Sequence, residues 1–146
     1  MSIEEITRDA VRLAKVQYAA DSFFTDFGRP STLLFDFHDG RSLVLRAVAA
    51  TDELRWESAL GDVQKLADLA ELFPSMREAY GLNLRWCWEM RNHQGYFDAL
   101  QIEFSDPSLA KTVIIQFKVA ASGIDVFCVQ QLSSTGESVQ ARSESR

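Results

Sequence analysis

Asp98 stands in the stretch NHQGYFDALQIEF (92–104), among apolar residues and close to His93, one of only two histidines in the chain. A carboxylate held away from water can act as a general base, ligate a metal, or accept hydrogen bonds as a structural strut. Base catalysis needs a second carboxylate, a histidine or a nucleophile beside it, and the sequence places none there. The strut is the expected role. Were a pocket to form at this hairpin, Asp98, Tyr96, Trp88 and Asn92 would be its ligand-binding residues.

The other reactive side chains are scattered. Cys87 and Cys128 form no CxxC pair and have no histidine close in sequence, so both are read as reduced thiols of a cytoplasmic protein. His38 and His93 each open a hairpin loop, where an exposed polar residue is normal. Two histidines and two cysteines fall short of the roughly four ligands of a closed metal site, so neither a metal nor a cofactor is expected. A glycine-rich phosphate loop, an HExxH helix and a GxSxG elbow are all missing. An enzyme is therefore the less expected class.

The elements that position these residues follow from the pattern. Ser2 and Glu5 make a capping box, and Ile6, Ala10, Leu13 and Ala14 repeat at helical spacing, predicting a helix over Ser2–Leu13. The segment AKVQYAAD reads as a strand, and STLLFDFHDGRSLVLRAVA as a hairpin. A three-residue loop, His38-Asp39-Gly40, pairs Phe35 with Leu43 and Leu33 with Leu45, keeping one face apolar. DELRWES reads as a short strand. Val63, Leu66, Ala67, Ala70 and Phe73 then share a helical face, predicting a second helix over Asp62–Phe73 before Pro74 interrupts it. Four strands follow as a meander: Leu82–Asn92, Tyr96–Phe104, Lys111–Ala120 and Ile124–Leu132.

The loop His93-Gln94-Gly95 sets the register of the first meander hairpin. It pairs Asn92 with Tyr96, Met90 with Asp98, Trp88 with Leu100, Trp86 with Ile102 and Leu84 with Phe104. Both tryptophans are thereby expected in the core. Asn83, Arg85, Cys87, Glu89 and Arg91 fall on a polar face, with Arg85 opposite Glu103. The sum is an α+β fold: one twisted antiparallel sheet of about six to eight strands with the two helices on one face or end. Residues 1–132 make a single domain. Residues 133–146 hold one valine and no other large apolar side chain, which predicts a disordered tail.

The run W-C-W-E-M-x-N-H-Q-G-Y-x-D-A-L-Q-I-E-F resembles an uncharacterised family of small bacterial proteins. The resemblance rests on Trp86, Trp88, Asn92, Gln94, Gly95, Tyr96 and Asp98, and the upstream Asp39-Gly40 hairpin extends it over residues 15 to 132. It implies a bacterial, cytosolic setting and no particular chemistry.

A net charge of −6 argues against nucleic-acid binding and suits a basic protein partner. No apolar run approaches the ~20 residues of a membrane span. The leading expectation is an acidic protein-interaction module, an immunity- or antitoxin-like inhibitor, with Arg85, Glu89, Glu103, Gln116 and Lys118 on its contact face. The alternatives are a small-ligand-binding protein or unusual enzyme with its pocket near Asp98, and a structural homodimer.

Overall fold

Alternation of apolar and polar residues decides the architecture, because a sheet that buries one face needs something apolar laid against it. Here that cover is a second sheet. The computed structural model describes residues 2–20, 28–62, 65–133 and 138–140. They form α1 (Ile3–Arg8), β1 (Leu13–Ala19), β2 (Thr32–Phe37), β3 (Ser42–Val48), β4 (Glu53–Glu57) and β5 (Leu66–Asp68). Then come β6 (Asn83–Arg91), β7 (Phe97–Ser105), β8 (Thr112–Ala120), β9 (Gly123–Leu132) and β10 (Ser138–Gln140). The first sheet runs β4-β3-β2-β1-β5 and the second β10-β9-β8-β7-β6; the strand pairs within both are antiparallel.

The expected single sheet is thus two, and the fold is mainly β with little helix. The apolar residues of β2 meet those of the opposite sheet across a shared core. The Phe35 ring, fully buried, stands edge-on to Phe117 of β8 at 5.4 Å and to Trp56 of β4 at 5.6 Å. Such edge-to-face contacts add to the stabilisation from burial itself.

Helix α1 keeps its predicted start and loses its predicted end. Ser2 Oγ accepts from the Glu5 amide at 3.2 Å, as a capping box requires. Ala10, at φ +48°, then takes a left-handed turn that no helix continues through. Leu13, expected in the helix, begins β1. The helix expected over Asp62–Phe73 does not form; Val63 lies outside the described residues. Leu66–Asp68 instead pairs with the end of β1, Tyr18 opposite Ala67. Asp68 accepts from the Ala70 amide at 2.9 Å and the Tyr80 hydroxyl at 2.6 Å, and so starts a short 3₁₀ turn, Leu69–Glu71. A local side-chain acceptor has outcompeted helical periodicity. A second 3₁₀ segment, Pro74–Ala79, follows with the proline at its first turn.

The first hairpin has the predicted register, Phe35 opposite Leu43 and Leu33 opposite Leu45, with Gly40 at φ +91° closing the loop. The two sheets are joined at one corner. Leu13 donates to the Leu82 carbonyl at 2.8 Å, Gly81 to the Leu13 carbonyl at 2.8 Å, and Leu84 to the Val11 carbonyl at 2.9 Å. These bonds lay α1 beside β6. The tail expected to be disordered lies mostly outside the described residues; within it, β10 pairs with Gln130–Leu132 of β9. No helix among the described residues is long and apolar enough to cross a membrane.

Because Phe35 joins the two sheets, Phe35→Ala should destabilise the protein by about 3–5 kcal/mol, as large-to-small changes of a buried phenylalanine do. Urea denaturation measures this. A loss below about 1 kcal/mol would mean that the sheets do not share this core.

Candidate functional site

The β6–β7 hairpin keeps its predicted turn and changes its register between two bulges. Asn92 donates its amide to the Tyr96 carbonyl at 3.0 Å, Gly95 sits at φ +86°, and Asn92 Oδ1 accepts from the Gln94 and Tyr96 amides. At the far end Leu84 faces Phe104, also as predicted. Between these points the register shifts at Arg85 on β6 and is restored at Asp98 on β7. Each shift is a bulge, and together they cancel. Within that window Trp86 faces Glu103, Cys87 faces Ile102, Trp88 faces Gln101, Glu89 faces Leu100 and Met90 faces Ala99.

A one-residue slip moves a strand's side chains to the other face. Trp86 and Trp88, expected in the core, therefore stand on the outside of the second sheet. Cys87 and Glu89, expected on the polar face, turn to the side of Ile102 and Leu100. Beneath β6, α1 packs with Ile3 and Ile6 buried. Two more indoles turned inward would compete with them for that interior.

The outward face reads in rows across four strands. One is Trp88, Gln101, Gln116 and Phe127; the next is Trp86, Glu103, Ile114 and Gln130; a third is Met90, Ala99, Lys118 and Asp125. Trp86 is 51% exposed, Trp88 44%, Met90 40% and Phe127 38%. The charges of the face are met by opposite charges. Arg85 contacts Glu103 at 3.3 Å, the pair the sequence predicts, and Lys118 lies opposite Asp125, which bonds Arg29.

Of the residues anticipated for a ligand pocket, Asn92, Tyr96 and Asp98 are joined at the hairpin tip and Trp88 stands apart from them. Asp98 is half-buried and accepts from Asn92 Nδ2 at 3.3 Å, within its own hairpin, while Asn92 is occupied in shaping the turn. Tyr96 is exposed at the tip, and Trp88 lies on the outer sheet face. Of the residues anticipated for a partner, Glu103, Gln116 and Lys118 share the outer face and Arg85 joins them through Glu103. Glu89 points the other way.

Glu89 lies instead in a cleft of about 330 Å³ between α1 and β6, with Ile3, Glu4, Thr7, Trp86 and Cys87 also lining it. Burial, with the nearby charges of Glu89 and Glu4, pushes the Cys87 thiol up to about 12. It stays protonated at neutral pH, unlike the thiolate of a catalytic cysteine. Sequence reasoning missed this cleft, because nothing local signals that α1 and β6 lie together. Among the described residues no three of His, Cys, Asp and Glu are grouped to hold a metal ion.

Residues 2–133 match a family of unknown function, DUF6334. The chain belongs to that family. No curated protein and no solved structure matches it. The family relation carries no assigned activity.

The register sets opposite expectations for neighbouring side chains. Trp88→Ala should change stability by no more than about 1 kcal/mol, as for an exposed side chain. Leu100→Ala, at a fully buried position, should cost about 2–5 kcal/mol. Urea melts of the two variants check it, and a Trp88→Ala loss equal to that of Leu100→Ala would place the indole in the core.

Proposed function

We propose that this protein is a binding module that engages another protein through the outward face of its second sheet. The observation that carries the reading is the exposure of Trp86, Trp88, Met90 and Phe127 on adjoining rows of one sheet surface. Aromatic residues and methionine are enriched at protein interfaces, and tryptophan is the residue most often found at their energetic centres. An exposed apolar patch of this kind costs solubility unless something covers it. The face is preformed on regular strands, so little ordering entropy opposes association.

Charge refines the kind of partner. The chain carries −6 overall, yet on this face Glu103 is paired with Arg85, and Asp125, opposite Lys118, with Arg29. Net charge alone suits a basic partner, whereas the paired charges of this face add little to that preference. The face suits a partner with apolar and aromatic groups at the centre and few charges there. A stoichiometric role, such as holding or inhibiting the partner, fits this arrangement. Bacterial origin and a cytoplasmic site belong to the same proposal and rest on the sequence reading.

Site-specific photocrosslinking in cells tests it. A benzophenone side chain placed at position 88 or at position 127 should give the same discrete adduct, and Trp86→Asp should remove it. A benzophenone at exposed Glu71 serves as the control. Equal yields at Glu71, or no shared adduct from 88 and 127, would contradict the reading. The adduct mass separates a second copy of this chain from a different protein.

A further inference from the structure

Strand β6 carries a ladder on one side only, as the last strand of its sheet. Its first residues are occupied on the other side, where Leu84 donates to the Val11 carbonyl and Asn83 bridges Arg12. From Arg85 to Arg91 no second ladder forms among the described residues, and every residue but Cys87 is exposed. A free edge is a row of unpaired N–H and C=O groups that templates another strand, and charged side chains usually blunt it. Here Trp86, Trp88 and Met90 alternate with Arg85, Cys87, Glu89 and Arg91.

The charges indicate what fits this edge. Residues opposed across an antiparallel ladder share a face, so two copies of one strand pair symmetrically only about a residue, never between two. Centred on Glu89, the pairing opposes that carboxylate to its own copy. Centred on Trp88, it sets Glu89 against Cys87 and makes the two Glu89 side chains diagonal neighbours. Centred on Cys87, it brings Glu89 against the bulge at Arg85. Centred on Met90, it sets Glu89 opposite Arg91 of the second copy, twice over, with Trp88 diagonal to the second copy's Met90.

We propose that a second copy of this chain pairs with β6 edge to edge, antiparallel about Met90, with Glu89 of each copy opposite Arg91 of the other. The inference rests on the binding reading above and names its partner. Within one copy Arg91 and Glu89 meet at 3.7 Å, and Arg91 also donates to the Gly95 carbonyl at 3.1 Å. Both side chains stay exposed, and a guanidinium with five N–H donors has some left for a second carboxylate. Opposite charges directly across a ladder stabilise it, and like charges destabilise it. Trp88 and Met90, at the rim of one copy's sheet, become the middle of a sheet that runs through both. The dyad lies toward the turn, so Val11 and Arg12 keep their places at the start of β6.

Sedimentation velocity of the full chain tests this by charge reversal. Glu89→Arg sets arginine against arginine, and Arg91→Glu sets glutamate against glutamate. Each variant alone should self-associate about tenfold more weakly than the parent, and their equimolar mixture should recover the parent's affinity. An ion pair confined to one copy predicts no recovery on mixing. In a second arm Met90→Cys is placed in a Cys87→Ser, Cys128→Ser background, and copper phenanthroline oxidises two thiols to one disulfide. A linked dimer should form, because residues opposed on a ladder stand within disulfide reach. Trp86→Cys in the same background has no copy of itself opposite and should stay unlinked. A chain still monomeric at about 100 µM, a dimer indifferent to both charge reversals, or linkage at position 86 and not at 90 would overturn the inference. Adducts from positions 88 and 127 to a different protein, with the chain itself monomeric, would refute this pairing and leave the binding reading standing.

Discussion

The surface of this protein depends on a pair of β-bulges, at Arg85 and Asp98, that cancel one another across a single hairpin. Each inserts one residue, on opposite strands, so the turn and the far end of the hairpin keep one register while the middle takes another. The consequence is a change of face for five residues of β6. With the slip, two indoles and a methionine stand over Gln101, Glu103 and Ala99; without it, they would compete with Ile3 and Ile6 for the same interior. Bulges concentrate on edge strands, where a pairing defect disturbs one ladder and not two, and β6 is such an edge.

From that constraint the two surfaces of interest follow together. The outward turn of Trp86 and Trp88 makes an apolar sheet face, and the inward turn of Cys87 and Glu89 makes the floor and one wall of the cleft against α1. The cleft exists because the corner bonds between Val11, Leu13, Leu82 and Leu84 hold the end of α1 to the start of β6. Two sheets sharing Phe35, Phe117 and Trp56 supply the rigid support beneath. Both surfaces therefore stand on regular strands whose positions are fixed by the core.

Much of the local structure was legible in the sequence. Glycine at the third loop position, flanked by alternating residues, located both hairpin turns, and opposite charge placed Arg85 beside Glu103. The Ser2 cap was equally clear. What escaped was everything that depends on a balance between distant parts. The register of a hairpin follows from its turn only while no bulge intervenes, and nothing within the hairpin's own sequence announces that α1 packs beneath β6. The Asp62–Phe73 helix was a sound periodic pattern defeated by Asp68, whose partner Tyr80 is remote in sequence. One sheet became two because the apolar bulk of β2 is satisfied by β8 and β4, a choice no single segment announces. Asp98, expected as a structural strut, accepts from Asn92 of its own hairpin.

The central claim is that Trp86 and Trp88 face solvent while Trp56 lies against the core. Acrylamide quenching of three proteins, each retaining one of these tryptophans with the other two changed to phenylalanine, tests it directly. The proteins retaining Trp86 or Trp88 should be quenched efficiently and emit at long wavelength, and the protein retaining Trp56 should be shielded by Phe35 and its neighbours. Quenching of Trp86 and Trp88 as weak as that of Trp56 would put both indoles back in the core and contradict the account.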